Sequence, residues 1–269
     1  MQKSIQGTLP PIVLVILLSV GGTARAKELF FPIVTHVGNY KSAMVILNPS
    51  EFRVSYYMEG LSPDEGGVGL SSILQPNGRK GFSPDGEFNP KEFRGGWGFV
   101  KYSFLEVLPV DKERVESLRL LGWTQLALLG PSGEWIAVAN IPAVEPALEF
   151  RVPGILYPEA EAAIAILNPS KEPIQIDLTL YHYRKPLSGS PYVQVTNTIS
   201  IPPMQRLSQF LWELMTESKE TPPERPLPWT STSSTLRIRG TAPIAVAALL
   251  YDHSTGAFGN LPVVRVDQK

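Results

Sequence analysis

The residues best placed to do chemistry are Glu159 and Glu161, the nearest approach in this chain to a carboxylate pair. Glycoside hydrolysis needs two carboxylates at a defined separation on a rigid support. Two residues apart in an extended chain, these side chains point the same way. They follow Tyr157-Pro158 ahead of an apolar run, where exposed charge is the plainer reading. Metal binding needs clustered ligands, but His36, His182 and His253 are scattered, and none has a second His or an acid two to four residues on. His182, between Tyr181 and Tyr183, reads as a surface-strand residue. The loops Ser62-Pro63-Asp64-Glu65 and Ser83-Pro84-Asp85-Gly86-Glu87 offer oxygen ligands for Ca²⁺, yet neither follows the EF-hand pattern, and both read as solvated turns.

Nucleophile and phosphate motifs are missing. There is no G-x-S-x-G elbow, and Gly130-Pro131-Ser132-Gly133 is a turn sequence. Gly66-Gly67-Val68-Gly69-Leu70-Ser71 is glycine-rich without a following Lys, and reads as a flexible loop. No catalytic residue, cofactor or metal ligand is therefore assigned. Aromatic side chains are the remaining candidates, as platforms for sugar rings. Trp97 and Trp135 lie in apolar strand contexts and are expected in the core. Trp123 is a further candidate platform. Trp212 follows Leu211 on an expected helix and is placed to pack between two repeats. Trp229, in a polar stretch, is the one candidate ligand contact. Asn48 and Asn168 stand at equivalent turns, each expected to cap its turn through its own side chain.

The elements that must position these residues begin with an export signal. Residues 1–26 hold an early Lys3, an apolar run from Ile12 to Val20 and Ala24-Arg25-Ala26, the order of a cleavable signal peptide. The uncharged stretch Ser4 to Ala24 is long enough to span a bilayer, but Pro10-Pro11 shortens its apolar core to h-region size. Cleavage after Ala26 is expected, with no later apolar run of spanning length. With Lys3 and Arg25 gone, 22 cations face 25 anions, a formal charge of −3. That balance carries no electrostatic footprint for nucleic acid or anionic membrane. The chain has no cysteine, which excludes disulfides, a thiol nucleophile, a Cys-based zinc site and a lipoprotein anchor. Core burial must therefore hold an exported chain together.

An internal repeat organises the rest. Ala43-Met44-Val45-Ile46-Leu47-Asn48-Pro49-Ser50 recurs as Ala163-Ile164-Ala165-Ile166-Leu167-Asn168-Pro169-Ser170, and alternating strands follow both copies. Phe52, Val54, Tyr56 and Met58 share one face of the first; Ile174, Ile176, Leu178 and Leu180 share one face of the second. Ile136-Ala137-Val138-Ala139 precedes Phe150 by the interval that separates Ile244-Ala245-Val246-Ala247 from Phe258, which suggests matching far ends and a longer middle in the first copy, around 104–130. The patch from Phe150 to Leu156 closes one copy and opens the next without a Gly/Ser or Pro-rich linker, so a closely coupled pair is expected. One amphipathic helix is expected over Met204 to Glu217, with Leu207, Phe210, Leu211 and Leu214 on its stripe. A second candidate runs from Asp111 to Leu121. Segment 216–234 reads as an exposed loop.

Phe31-Pro32, the strand into Asn-Pro-Ser, Ile201-Pro202-Pro203 with the helix after it, and Phe258-x-x-x-Pro262 together resemble repeats of secreted bacterial proteins. Gln75-Pro76-Asn77-Gly78 and Gly95-Gly96-Trp97-Gly98 in the first copy resemble a variant of that repeat. The resemblance spans nearly all of the chain after residue 26 and implies Ig-like β-sandwiches; it carries no functional residues. The first copy departs from it in lacking a match to the Leu207–Leu214 helix.

The expected architecture is all-β: two tandem Ig-like β-sandwich domains at 27–149 and 150–269, the second with one short helix. The expected function is that of an exported, non-enzymatic structural or interaction protein, periplasmic or extracellular, with an envelope or extracellular protein or glycan as partner. A carbohydrate- or ligand-binding module is the alternative, and a hydrolase with a loop-assembled site a third reading.

Overall fold

The computed structural model describes residues 26–35, 39–62, 66–83, 95–105, 111–154, 160–183, 192–216, 234–252 and 254–266. Strand takes up 69% of them and helix 6%, so packed antiparallel sheets must supply the core. One four-stranded sheet has the order β1-β6-β3-β4, from β1 (Lys27–Thr35), β6 (Gly95–Phe104), β3 (Val54–Ser62) and β4 (Gly66–Leu74). A second has the order β5-β2-β7-β8, from β5 (Arg79–Phe82), β2 (Tyr40–Leu47), β7 (Leu121–Leu129) and β8 (Trp135–Pro142). Period-two alternation turns Val54, Tyr56 and Met58 of β3 inward to meet Met44 and Ile46 of β2, and Phe31, Val100 and Phe82 fill the same core.

The remaining strands form one larger sheet ordered β12-β11-β14-β10-β13. Its strands are β12 (Tyr192–Ile201), β11 (Ile174–Tyr183), β14 (Thr235–Asp252), β10 (Ala160–Leu167) and β13 (Arg206–Phe210). β9 (Ala147–Pro153) and β15 (Phe258–Asn260) pair with β14, and β16 (Val264–Arg265) pairs with β9. Strand neighbours repeat: β1-β6-β3-β4 recurs as β9-β14-β11-β12, and β5-β2-β7-β8 recurs as β13-β10-β14-β15. The single strand β14 does the work of both β6 and β7. Its first part pairs with β11 and its second with β10, across an irregularity between Arg239 and Ile244. In the N-terminal half the same two strands are separate, and α1 (Lys112–Ser117) lies between them.

Several expectations need correcting. The Ile136–Ala139 and Ile244–Ala247 runs are not equivalent: the first lies in β8 and the second in β14, whose counterpart by pairing is β7. Gly66–Ser71 is strand, not loop, because β4 pairs with β3 along its full length. Glycine at position 69 serves packing there, since a Cβ would come within 2.6 Å of the Tyr57 hydroxyl and 2.9 Å of the Met58 carbonyl. The helix expected over Met204 to Glu217 shrinks to α2 (Leu211–Thr216). Residues 206–210 pair instead with the edge of β10, and tertiary pairing overrides helical spacing. The second helix candidate, Asp111 to Leu121, is present as α1 (Lys112–Ser117); it falls between β6 and β7 rather than after β5, so it is not a counterpart of α2.

The two halves pack closely. β10 turns Ala162, Ile164 and Ile166 into the C-terminal core. From its opposite face, Ala165 joins Leu126, Ala139 and Ile141 of the N-terminal half, together with Leu249 and Phe258. Beside them Phe30, Trp97 and Phe99 pack on Leu167 and Ala245. Each large apolar side chain buried this way contributes about 1.5–3 kcal/mol.

Candidate functional site

The Asn-Pro-Ser turns are structural clamps. Asn48 is fully buried; its Oδ1 accepts from the Ser50 amide at 3.1 Å and hydroxyl at 2.7 Å, and its Nδ2 donates to the carbonyls of Phe52 at 2.7 Å and Gln75 at 3.0 Å. Asn168 repeats this with Ser170 at 2.9 and 2.7 Å, and donates to Glu172, Ile201 and Pro202 at 2.7, 3.1 and 3.0 Å. No side-chain polar group is left to offer a ligand at either turn.

The tryptophans divide differently from expectation. Trp97 is buried, but Trp135 is 62% exposed. Its apolar neighbours Ile136 and Val138 are exposed as well, at 53% and 43%. β8 is the last strand of its sheet, and its Ala137, Ala139 and Ile141 side reaches the packed interior; a register shift between Leu128 and Leu129 breaks the alternation there and takes Trp135 off that side. Trp123 is half-buried with the Arg79 guanidinium 5.3 Å from its ring centroid, so this face is covered by a cation. Trp212 is half-buried on α2. Trp229, His36, His253, Glu159 and both acidic loops beyond Ser62 and Ser83 lie outside the described residues. Glu161 is in β10 opposite Tyr251. Among the described residues no three His, Cys, Asp or Glu side chains gather as a metal site.

Two surface features remain. The first is the edge of β8, whose outer backbone pairs with no strand among the described residues. Farther along it, between β8 and β15, runs an apolar groove of about 270 Å³ lined by Ile141, Val144, Ala247, Leu261 and Val263. The second is the outward face of β12, β11, β14 and β9, where cross-strand register sets side chains in rows. One row runs Thr198, Asp177, Arg239, Glu149, and the next Thr196, Thr179, Arg237, Arg151. A shallow polar groove of about 230 Å³ lies over β12, β11 and β14 here. Alternation along the strands explains the polarity, since Leu178 and Ile238 point the other way into the core.

Charges on this face are unevenly matched. Arg237 stands opposite Arg151, and Glu149 is paired with both, at 2.7 Å to Arg237 and 3.6 Å to Arg151. The hydrogen bond from Arg237 is the main reason that the Glu149 carboxyl is held below its ordinary value, against the pull of burial. Asp177 accepts from the Thr198 hydroxyl at 3.0 Å. Arg239, exposed and directly opposite Asp177, forms no ion pair among the described residues. No protein-family model matches the chain, and no curated protein matches it in sequence.

Proposed function

We propose that this chain is an exported, non-enzymatic interaction protein of the cell envelope or extracellular space, built as two tandem Ig-like β-sandwich domains at 27–149 and 150–269. The repeated strand orders support the duplication, and the signal-like order of residues 1–26 supports export. The observation that carries the interaction role is the exposure of Trp135, Ile136 and Val138 on an edge strand. Edge strands that stay unpartnered are commonly blunted by charge or proline, because their free N–H and C=O groups template pairing. The exposed stretch of β8 carries large apolar groups instead. Its occupant in this reading is an extended segment of a partner protein, added as a further strand, with apolar side chains meeting Trp135 and Val138.

A photo-crosslinking amino acid at position 136, with a control at exposed Gln175 on β11, tests this in the native envelope. The expected result is a discrete protein adduct from 136 that is absent from 175 and disappears with Val138→Lys. The same adducts from both positions, or none from 136, would overturn it.

A further inference from the structure

We infer that the outward face of β12, β11, β14 and β9 is a second binding surface, for an anionic glycan. It lies on a different face from the β8 edge and does not depend on that reading. The argument begins with backbone accounting. β11 and β14 are interior strands, paired on both sides, so their main-chain groups are consumed by the ladder. A peptide that adds to a sheet does so through edge hydrogen bonds, and β11 and β14, over which the groove lies, offer none. Only side chains can speak to a ligand here.

Those side chains suit a hydroxylated anion. Three guanidiniums, Arg151, Arg237 and Arg239, meet two carboxylates, Glu149 and Asp177. Glu149 is committed to Arg237 and Arg151, and Arg239 makes no ion pair among the described residues although Asp177 stands opposite. A carboxylate or sulfate group on the ligand would take the planar guanidinium of Arg239 through paired N–H donors. Around it the groove presents the exposed hydroxyls of Thr196 and Thr198, each able to donate and accept, and the exposed Asp177 carboxylate, which can accept from sugar hydroxyls. Tyr181, 40% exposed and two residues beyond Thr179 on the same side of β11, sets an aromatic ring on this face for a sugar ring to stack on. An open groove of about 230 Å³ across β12, β11 and β14 gives room for a chain of pyranose rings lying across the strands.

The test measures retention of the purified protein in gels holding polygalacturonate, heparin, dextran or poly-L-glutamate. Retention by polygalacturonate identifies a carboxylated ligand and retention by heparin a sulfated one; either supports the inference when dextran and poly-L-glutamate retain nothing. Arg239→Gln and Tyr181→Ala, both at exposed positions, should each weaken that retention about tenfold while leaving the melting curve in place. The inference is overturned by no retention in either acidic glycan, by equal retention in poly-L-glutamate, or by unchanged retention of both variants.

Discussion

The Nη1 of Arg206, on β13, donates to the main-chain carbonyl of Gly96 on β6, 110 residues earlier in the chain. It also reaches the Pro32 carbonyl on β1 at 3.4 Å. One guanidinium thus ties the C-terminal sheet to two strands of the N-terminal half. Burial lowers its pKa to about 10, so it stays charged at neutral pH. Replacing it with Ala strands the Gly96 carbonyl at the interface, and we expect Arg206→Ala to lower stability by about 2–3 kcal/mol. Urea denaturation followed by tryptophan fluorescence measures this, and an unchanged midpoint would refute the tether.

The paired clamps at Asn48 and Asn168 give a second expectation. Each side chain satisfies main-chain carbonyls through part-buried or buried hydrogen bonds. Asn168→Ala should destabilise by about 3 kcal/mol, and Asn48→Ala by slightly less, because Asn168 donates to three carbonyls and Asn48 to two. Asn→Asp at either position should be no better than Ala, since it removes both N–H donors and sets a carboxylate against carbonyl oxygens. Equilibrium unfolding of the four variants decides the order.

How much of this was legible in the sequence depended on whether the signal was local. The Asn-Pro-Ser strands were readable because period-two alternation survives in Val54, Tyr56 and Met58 and in Ile174, Ile176 and Leu178. The glycine-rich run at β4 was not, because residues without side chains show no period. Leu207, Phe210, Leu211 and Leu214 satisfy helical spacing, yet the open edge of β10 captured 206–210 as strand. The apolar neighbours of Trp135 point to a core position, and only the strand order reveals that β8 is an edge. The polar face was equally hidden. Arg237 and Arg239 alternate visibly with Leu236 and Ile238, but nothing local to them says that β9 and β11 flank β14.

Asn77 and Met204 occupy matching places after the strands that end near Gln75 and Ile201, and both have positive φ, at 55° and 53°. Asn tolerates the left-handed region and Met does not do so readily. Met204 is also exposed, so little packing is lost on replacing it. Met204→Asn should therefore stabilise the protein by about 0.5–1 kcal/mol, and Asn77→Met should cost a similar amount. Thermal unfolding of the two variants, with opposite shifts expected, checks the pairing of these turns.

The last expectation concerns acid. Glu149 is a buried carboxylate whose pKa is depressed, first by the hydrogen bond from Arg237 and then by the charges of Arg237, Arg151 and Arg239. A depressed carboxylate stabilises the fold fully above its unfolded value, 4.5, and that contribution is lost as pH falls through the lower folded value. Wild-type stability should therefore drop on acidification below about pH 4.5, and Glu149→Gln should remove part of that drop while lowering stability at pH 7. The same substitution leaves Arg151 and Arg237 without their shared counter-charge, so retention by an acidic glycan should strengthen as the fold weakens. Urea midpoints between pH 3 and 7, read beside gel retention at pH 7, separate the two effects; a Glu149→Gln protein with the wild-type acid profile would refute the assignment.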